Sequence, residues 1–151
     1  ALAAATGLPA LADDSGLAVA VLGGCPGVFS ARWSGSHAGA GAGRAEKDTA
    51  NLRLLLEQLA DVPDRQRAAA FVCAAVLVIP WQEPVIREGR VEGRIGRAPR
   101  GTNGFGYDPV FVPDADPRRT LAEFTDPEKN AISHRGNAFR AMESDLRQRL
   151  A

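Results

Sequence analysis

The run 68–79 (AAAFVCAAVLVI) constrains this chain more than any other stretch. Successive residues of a strand face opposite ways, so a segment that is apolar at both parities needs cover on both faces. The run is short of the roughly 20 apolar residues that cross a bilayer, and its β-branched residues gather towards its end. It predicts a strand buried on both faces of a sheet covered by helices. A covering helix is predicted over 45–60, where Leu52, Leu55, Leu56 and Leu59 recur at i, i+3, i+4 and i+7. Val62-Pro63-Asp64 ends it, and the charged residues of its first turn (Arg44, Glu46, Lys47, Asp48) read as solvated. The segment 85–95 alternates loosely, as in a ribbon with one wet face, and its arginines are balanced by glutamates.

Length and charge bound the function. The 151 residues suit one domain, which at this size buries about 68–70% of its unfolded surface. Lys+Arg and Asp+Glu number 18 each, so no net field recruits nucleic acid or an anionic membrane. No stretch reads as a signal peptide or membrane span, and Cys25 and Cys73 form no CxxC; a cytoplasmic protein with reduced thiols is expected. With His37 and His134 the only histidines, a histidine-built zinc site is disfavoured. The chain opens at Ala1 on what reads as the last turns of a helix capped by Gly7, which suggests that an N-terminal part is missing.

Four polar, glycine-rich blocks do little for a core. In the first, Asp13-Asp14-Ser15-Gly16, two carboxylates fall between strand-like segments, the second running from Gly16 to Leu22. If the chain turns there, as Gly16 would allow, the pair could hold a hard cation such as Mg²⁺; on spacing alone an Asx-type turn satisfied by local backbone is favoured. Gly23 to Gly27 follows as a tight loop, and Phe29 and Trp33 beyond it could line a site or pack under the loop. The segment 97–106 (RAPRGTNGFG) leads into Tyr107-Asp108-Pro109, where Phe105 and Asp108 could grip a flat heterocycle by stacking and one acceptor. The alternative is that Phe105 packs in the core. Thr125-Asp126-Pro127-Glu128 is a capping box with proline inside it, so a short helix carrying Lys129 starts there. The final helix is predicted from about Ser133, which places His134 and Arg135 at a helix start, a favourable position for oxygen-rich ligands.

The blocks 11–17 (LADDSGL), 23–32 (GGCPGVFSAR), 104–111 (GFGYDPVF) and 129–136 (KNAISHRG), in this order, closely resemble the Ham1-like pyrophosphatases of non-canonical purine nucleoside triphosphates. The resemblance spans the chain. It implies an α/β fold with a long twisted mixed β-sheet, flanking helices and two lobes around a nucleotide groove. It further implies a homodimer, Mg²⁺ dependence, and hydrolysis of ITP, dITP or XTP at the α–β bond to the monophosphate and pyrophosphate. Residue by residue, Asp14 matches the proton acceptor and Mg²⁺ ligand, with Asp13 a supporting carboxylate. Ser15, Phe105, Gly106, Tyr107, Asp108, Lys129, His134 and Arg135 match nucleotide contacts. Residues 1–151 then form a single domain without the first strand and phosphate loop seen in the family, which also supply a metal-binding carboxylate; weak or absent activity is the expectation for the chain as it stands. The alternatives are a purine nucleotide-binding module without phosphate chemistry and a pyrophosphatase for other modified nucleotides.

Overall fold

The apolar run becomes an interior strand. The computed structural model describes residues 1–39 and 41–150. Its single sheet has the order β1-β2-β3-β4, with β1 at Ala10–Val19, β2 at Ala68–Val78, β3 at Val85–Ile95 and β4 at Phe111–Pro113. The helices are α1 (Leu2–Thr6), α2 (Arg44–Gln58), α3 (Asp126–Ile132) and α4 (His134–Leu150). The α/β class stands, but all the strand pairs are antiparallel where a mixed sheet is implied by the resemblance. The cause is topological: each strand here pairs with its sequence neighbour and returns beside it, most tightly across the turn at Ile79–Pro84 that joins β2 to β3.

Cover is also one-sided. Leu52, Leu55 and Leu59 enter a core with Leu17, Val19, Phe71, Val91, Ile95 and Phe111. Ala138 and Met142 of α4 pack with Cys73, Ala75, Leu77 and Val85. Both helices therefore lie against the face that carries the odd-numbered residues of β1, β2 and β3. On the other face Val72, Ala74, Val76 and Val78 stay half-buried and Ile86 is exposed, so β2 is not sheathed on both sides as expected.

One tie escaped the sequence reading. Arg67, just before β2, is 2% exposed and donates to the carbonyls of Leu59, Ile95 and Gly96, joining the end of α2 to the end of β3. Burial, and next the charge of Arg97, draw its guanidinium below the usual arginine range. No described helix is long and apolar enough to cross a membrane.

Candidate active site

β1 runs without interruption through Asp13-Asp14-Ser15-Gly16, pairing Asp13 with Ala75, Asp14 with Ala74 and Ser15 with Cys73. The expected turn is absent, and β1 gives way after Val19 to a single tight helical turn at Ala20–Leu22. Gly16 serves space instead: a Cβ there would collide with the carbonyl oxygen of Gly27, while Ser30 Oγ, nearby, accepts the Leu17 N–H at 2.9 Å.

A continuous strand sends adjacent side chains to opposite faces, so Asp13 and Asp14 do not converge on one ion. Asp13 turns to the helix-covered face, where its Oδ1 receives Arg135 Nη2 at 2.7 Å and the buried Cys73 thiol donates to its Oδ2 at 3.7 Å. Burial raises the Cys73 pKa, the Ser15 hydrogen bond opposes that rise, and the Asp13 charge adds to it, so the thiol stays a donor. Asp14 is exposed, makes no ion pair among the described residues, and accepts only the N–H of Ser15, at 2.9 Å. Asp13 is thus ion-paired with Arg135, on the face of β1 opposite to Asp14. Asp14 alone remains as a carboxylate suited to Mg²⁺, which commonly takes one or two carboxylates and completes its shell with phosphate oxygens and water.

The 101–110 loop presents its phenylalanine. Phe105 is 63% exposed, against 4% for Tyr107 and 4% for Asp108. The loop is fastened from three elements. Asp48 of α2 accepts the Gly106 N–H at 3.2 Å, Tyr107 donates its hydroxyl to the Ser30 carbonyl at 2.9 Å, and Lys129 of α3 pairs with Asp108, whose Oδ2 also accepts the Phe105 N–H at 2.8 Å. Gly104 holds φ +81°, and a Cβ there would strike the Asp108 carboxylate. Tyr107 and Asp108 thus shape the loop from inside. Asp108 is not the free acceptor for a heterocycle that the sequence suggested. Burial, then the Asp48 charge, raises the Tyr107 pKa above the ordinary tyrosine range, so the phenol remains a donor.

The α3–α4 junction is built as predicted. Glu128 Oε2 accepts the Thr125 N–H at 2.8 Å, the glutamate half of the expected capping box, and Ser133 Oγ accepts the Gly136 N–H at 3.0 Å to open α4. Gly89 lets the start of α4 lie on β3, since a Cβ there would strike the His134 carbonyl, and Asn137 clamps the contact by donating to the Arg90 carbonyl at 2.9 Å. His134 is thereby stacked on Phe71, centroids 5.0 Å apart. Burial is the main cause of its lowered pKa; Lys129 and Arg135 add to that shift, while Asp108 and Asp13 oppose it.

The chemistry-bearing residues form a row: Asp13–Arg135, His134 on Phe71, Lys129–Asp108, and Phe105 with Lys129 Nζ 4.9 Å from its ring centroid. Ser15 stands beside the row, paired across the ladder with Cys73. Asp14, on the other face of β1, does not join it. Two contributors come from α2, whose first turn was read as solvated: Asp48, on Gly106, and Arg44, whose Cζ lies 5.0 Å from the Phe105 centroid. Helical spacing placed both on α2 but said nothing of what its N-terminus abuts. Phe29 is exposed, with Arg32 over its ring at 5.2 Å, and Trp33 is half-buried, donating to Gln58 at 2.8 Å.

Comparison with known proteins gives the family and the fold. The family model described as the Ham1 family matches residues 1–145. The dITP/XTP pyrophosphatase of Streptomyces coelicolor is 54% identical over 150 residues, covering 99% of this chain and 70% of its own length. That of Mycolicibacterium paratuberculosis is 57% identical over 139 residues, 92% of this chain and 64% of its own. Among solved structures, the nucleoside-triphosphatase / dITP/XTP pyrophosphatase of Mycobacterium abscessus superposes with a TM-score of 0.78 at 54% identity, over 93% of this chain and 67% of the other. The Ham1 protein of Staphylococcus aureus gives 0.83 at 36% identity, over 96% and 70%.

Proposed function

The chain belongs to the Ham1 family, and from that membership we propose that it hydrolyses ITP, dITP and XTP to the monophosphate and pyrophosphate, acting as one domain on the cytoplasmic nucleotide pool. One observation carries the reading: an exposed phenylalanine ring, held on a loop fastened from three elements, stands beside Lys129 and the start of α4. A purine stacks on Phe105. Arg135, oriented by Asp13, and His134, neutral at pH 7 with one N–H to give, offer donors that suit the oxygens of hypoxanthine and xanthine. Adenine brings an amino donor there instead and leaves site groups unpaired, the kind of mismatch that separates analogues strongly.

Ser15 and Lys129 contact the nucleotide further along the row, Lys129 through the ammonium N–H groups not given to Asp108. Asp14 is the general base: its carboxylate, free of any cation partner among the described residues, takes the proton of the attacking water. Asp14 would also hold Mg²⁺, which when bound supplies compensation for the charge of the triphosphate. Asp13 keeps Arg135 in place and does not share the ion. We also propose a homodimer, for which the half-buried Val72, Ala74, Val76 and Val78 of β2 and the exposed Ile86 beside them offer a surface.

The test is pyrophosphate release with Mg²⁺ from ITP, dITP and XTP against ATP and GTP. The first three are expected to be the preferred substrates, at whatever rate the chain sustains, with about 10²-fold lower efficiency on ATP. Asp14→Asn is expected to cost about 10²–10⁴-fold in kcat, the range of a lost general base. Asp13→Asn should chiefly raise KM. Loss of kcat on Asp13→Asn with Asp14→Asn near wild type would exchange the two roles. Binding of IMP without pyrophosphate release would mark a purine nucleotide-binding protein instead. Sedimentation as a monomer at assay concentration would remove the dimer.

A further inference from the structure

Two cations lie over the Phe105 ring: Lys129 Nζ at 4.9 Å from the centroid and Arg44 Cζ at 5.0 Å. They are not equivalent. Lys129 is largely buried and paired with Asp108. Arg44 is exposed, has no carboxylate within ion-pair distance among the described residues, and makes no hydrogen bond from its guanidinium there. It also occupies the first position of α2, where a cation opposes the positive end of the helix dipole. Its position is unfavourable for the helix, and among the described residues its guanidinium has no ion-pair or hydrogen-bond partner, only the ring on which a base would stack. The carboxylates nearby are turned away from that ring. Asp108 is buried on Lys129 and the Phe105 N–H, and Asp48, one turn along α2, is half-buried on the Gly106 N–H. The other charged or titratable groups of the row, His134 and Arg135, come from the start of α4.

We propose that Arg44 is a specificity-determining residue that favours xanthine over hypoxanthine nucleotides. The inference rests on the functional reading above and sharpens which substrate that site prefers. An aromatic ring flanked by cations stacks best on an electron-rich partner, and an exposed guanidinium without a counter-ion attracts negative charge on that partner. Hypoxanthine carries one carbonyl and stays neutral at physiological pH. Xanthine carries a second carbonyl at C2, and its nucleoside loses a ring proton near neutrality, placing a negative charge on the base. Both bases share the ribose, the phosphates and the 6-oxygen, so a residue that separates them acts on this difference alone.

The experiment titrates the full chain with XMP and with IMP by calorimetry, at about pH 8 and about pH 5, for wild type, Arg44→Gln and Arg44→Lys. Monophosphates make the readout independent of turnover, and comparing each variant with wild type at the same pH removes what His134 contributes to the XMP/IMP ratio. Arg44→Gln is expected to weaken XMP by about threefold at the higher pH, the size of an exposed cation–π contact, and to leave IMP near wild type. The difference should vanish at the lower pH, where xanthine is neutral, and Arg44→Lys should retain most of the preference. Equal weakening of both ligands, no change in either, or a preference that persists at low pH overturns the proposal. Wild-type protein that binds neither monophosphate overturns the functional reading, and this inference with it.

Discussion

Gly16 has no positive φ and needs none; its requirement is for room beside the Gly27 carbonyl and Ser30. Gly16→Ala is therefore expected to destabilise the fold by about 1–3 kcal/mol, as overpacking against fixed atoms does, measured by denaturant midpoint at constant m-value. His134 makes a pH-dependent contribution of known sign. Its folded pKa lies below the ordinary 6.5, so between that lowered value and 6.5 the unfolded chain binds more protons, and stability rises with pH. The contribution is complete above 6.5 and is lost as pH falls through the folded pKa. Thermal scans between about pH 7 and pH 5 should show Tm falling on acidification, and His134→Phe, which keeps a ring on Phe71, should flatten that slope. A slope unchanged in the variant would assign it to other groups.

At the level of elements, two contacts decide how the helices sit. Gly89 and Asn137 dock the start of α4 on β3, so Gly89→Ala should lift that helix start, cost about 1–3 kcal/mol, and raise KM by moving His134 and Arg135 together. A variant with lowered stability but unchanged KM would separate docking from the site. Arg67 joins α2 to β3 through three carbonyls without a carboxylate; Arg67→Met should cost about 3 kcal/mol, because buried acceptors lose their donor. These contacts also show what could be read from the chain. Periodicity located α2, β2, β3 and α4 to within a residue or two, because each pattern is local, and the Thr125/Glu128 and Ser133 caps were visible for the same reason. The unsheathed face of β2 was not visible, since an apolar run states a need for cover and not where the helices go. Arg67, Asp48 and Arg44 were missed because each acts on a partner far away in sequence, and a charged residue outside a motif carries no mark of being buried or aimed.

Across the whole molecule, the motif blocks assemble into one row, and the row separates two adjacent carboxylates that the sequence had joined. Asp13 is tied to Arg135, and Asp14 stands apart from it on the opposite face of β1, so under the proposed function the two substitutions should differ in kind: KM for the first, kcat for the second. The loop around Phe105 has a further consequence. Its order draws at once on α2 through Asp48, on the turn after Pro26 through Ser30, and on α3 through Lys129. Warming that loosens any one of the three frees the ring, whereas Asp14 rides on a strand paired along its whole length. Accuracy should therefore decay before speed. As temperature approaches the unfolding transition, the ratio of ITP to ATP hydrolysis is expected to fall while total pyrophosphate release is still rising, and a ratio constant up to the transition would show that the loop holds until the sheet does.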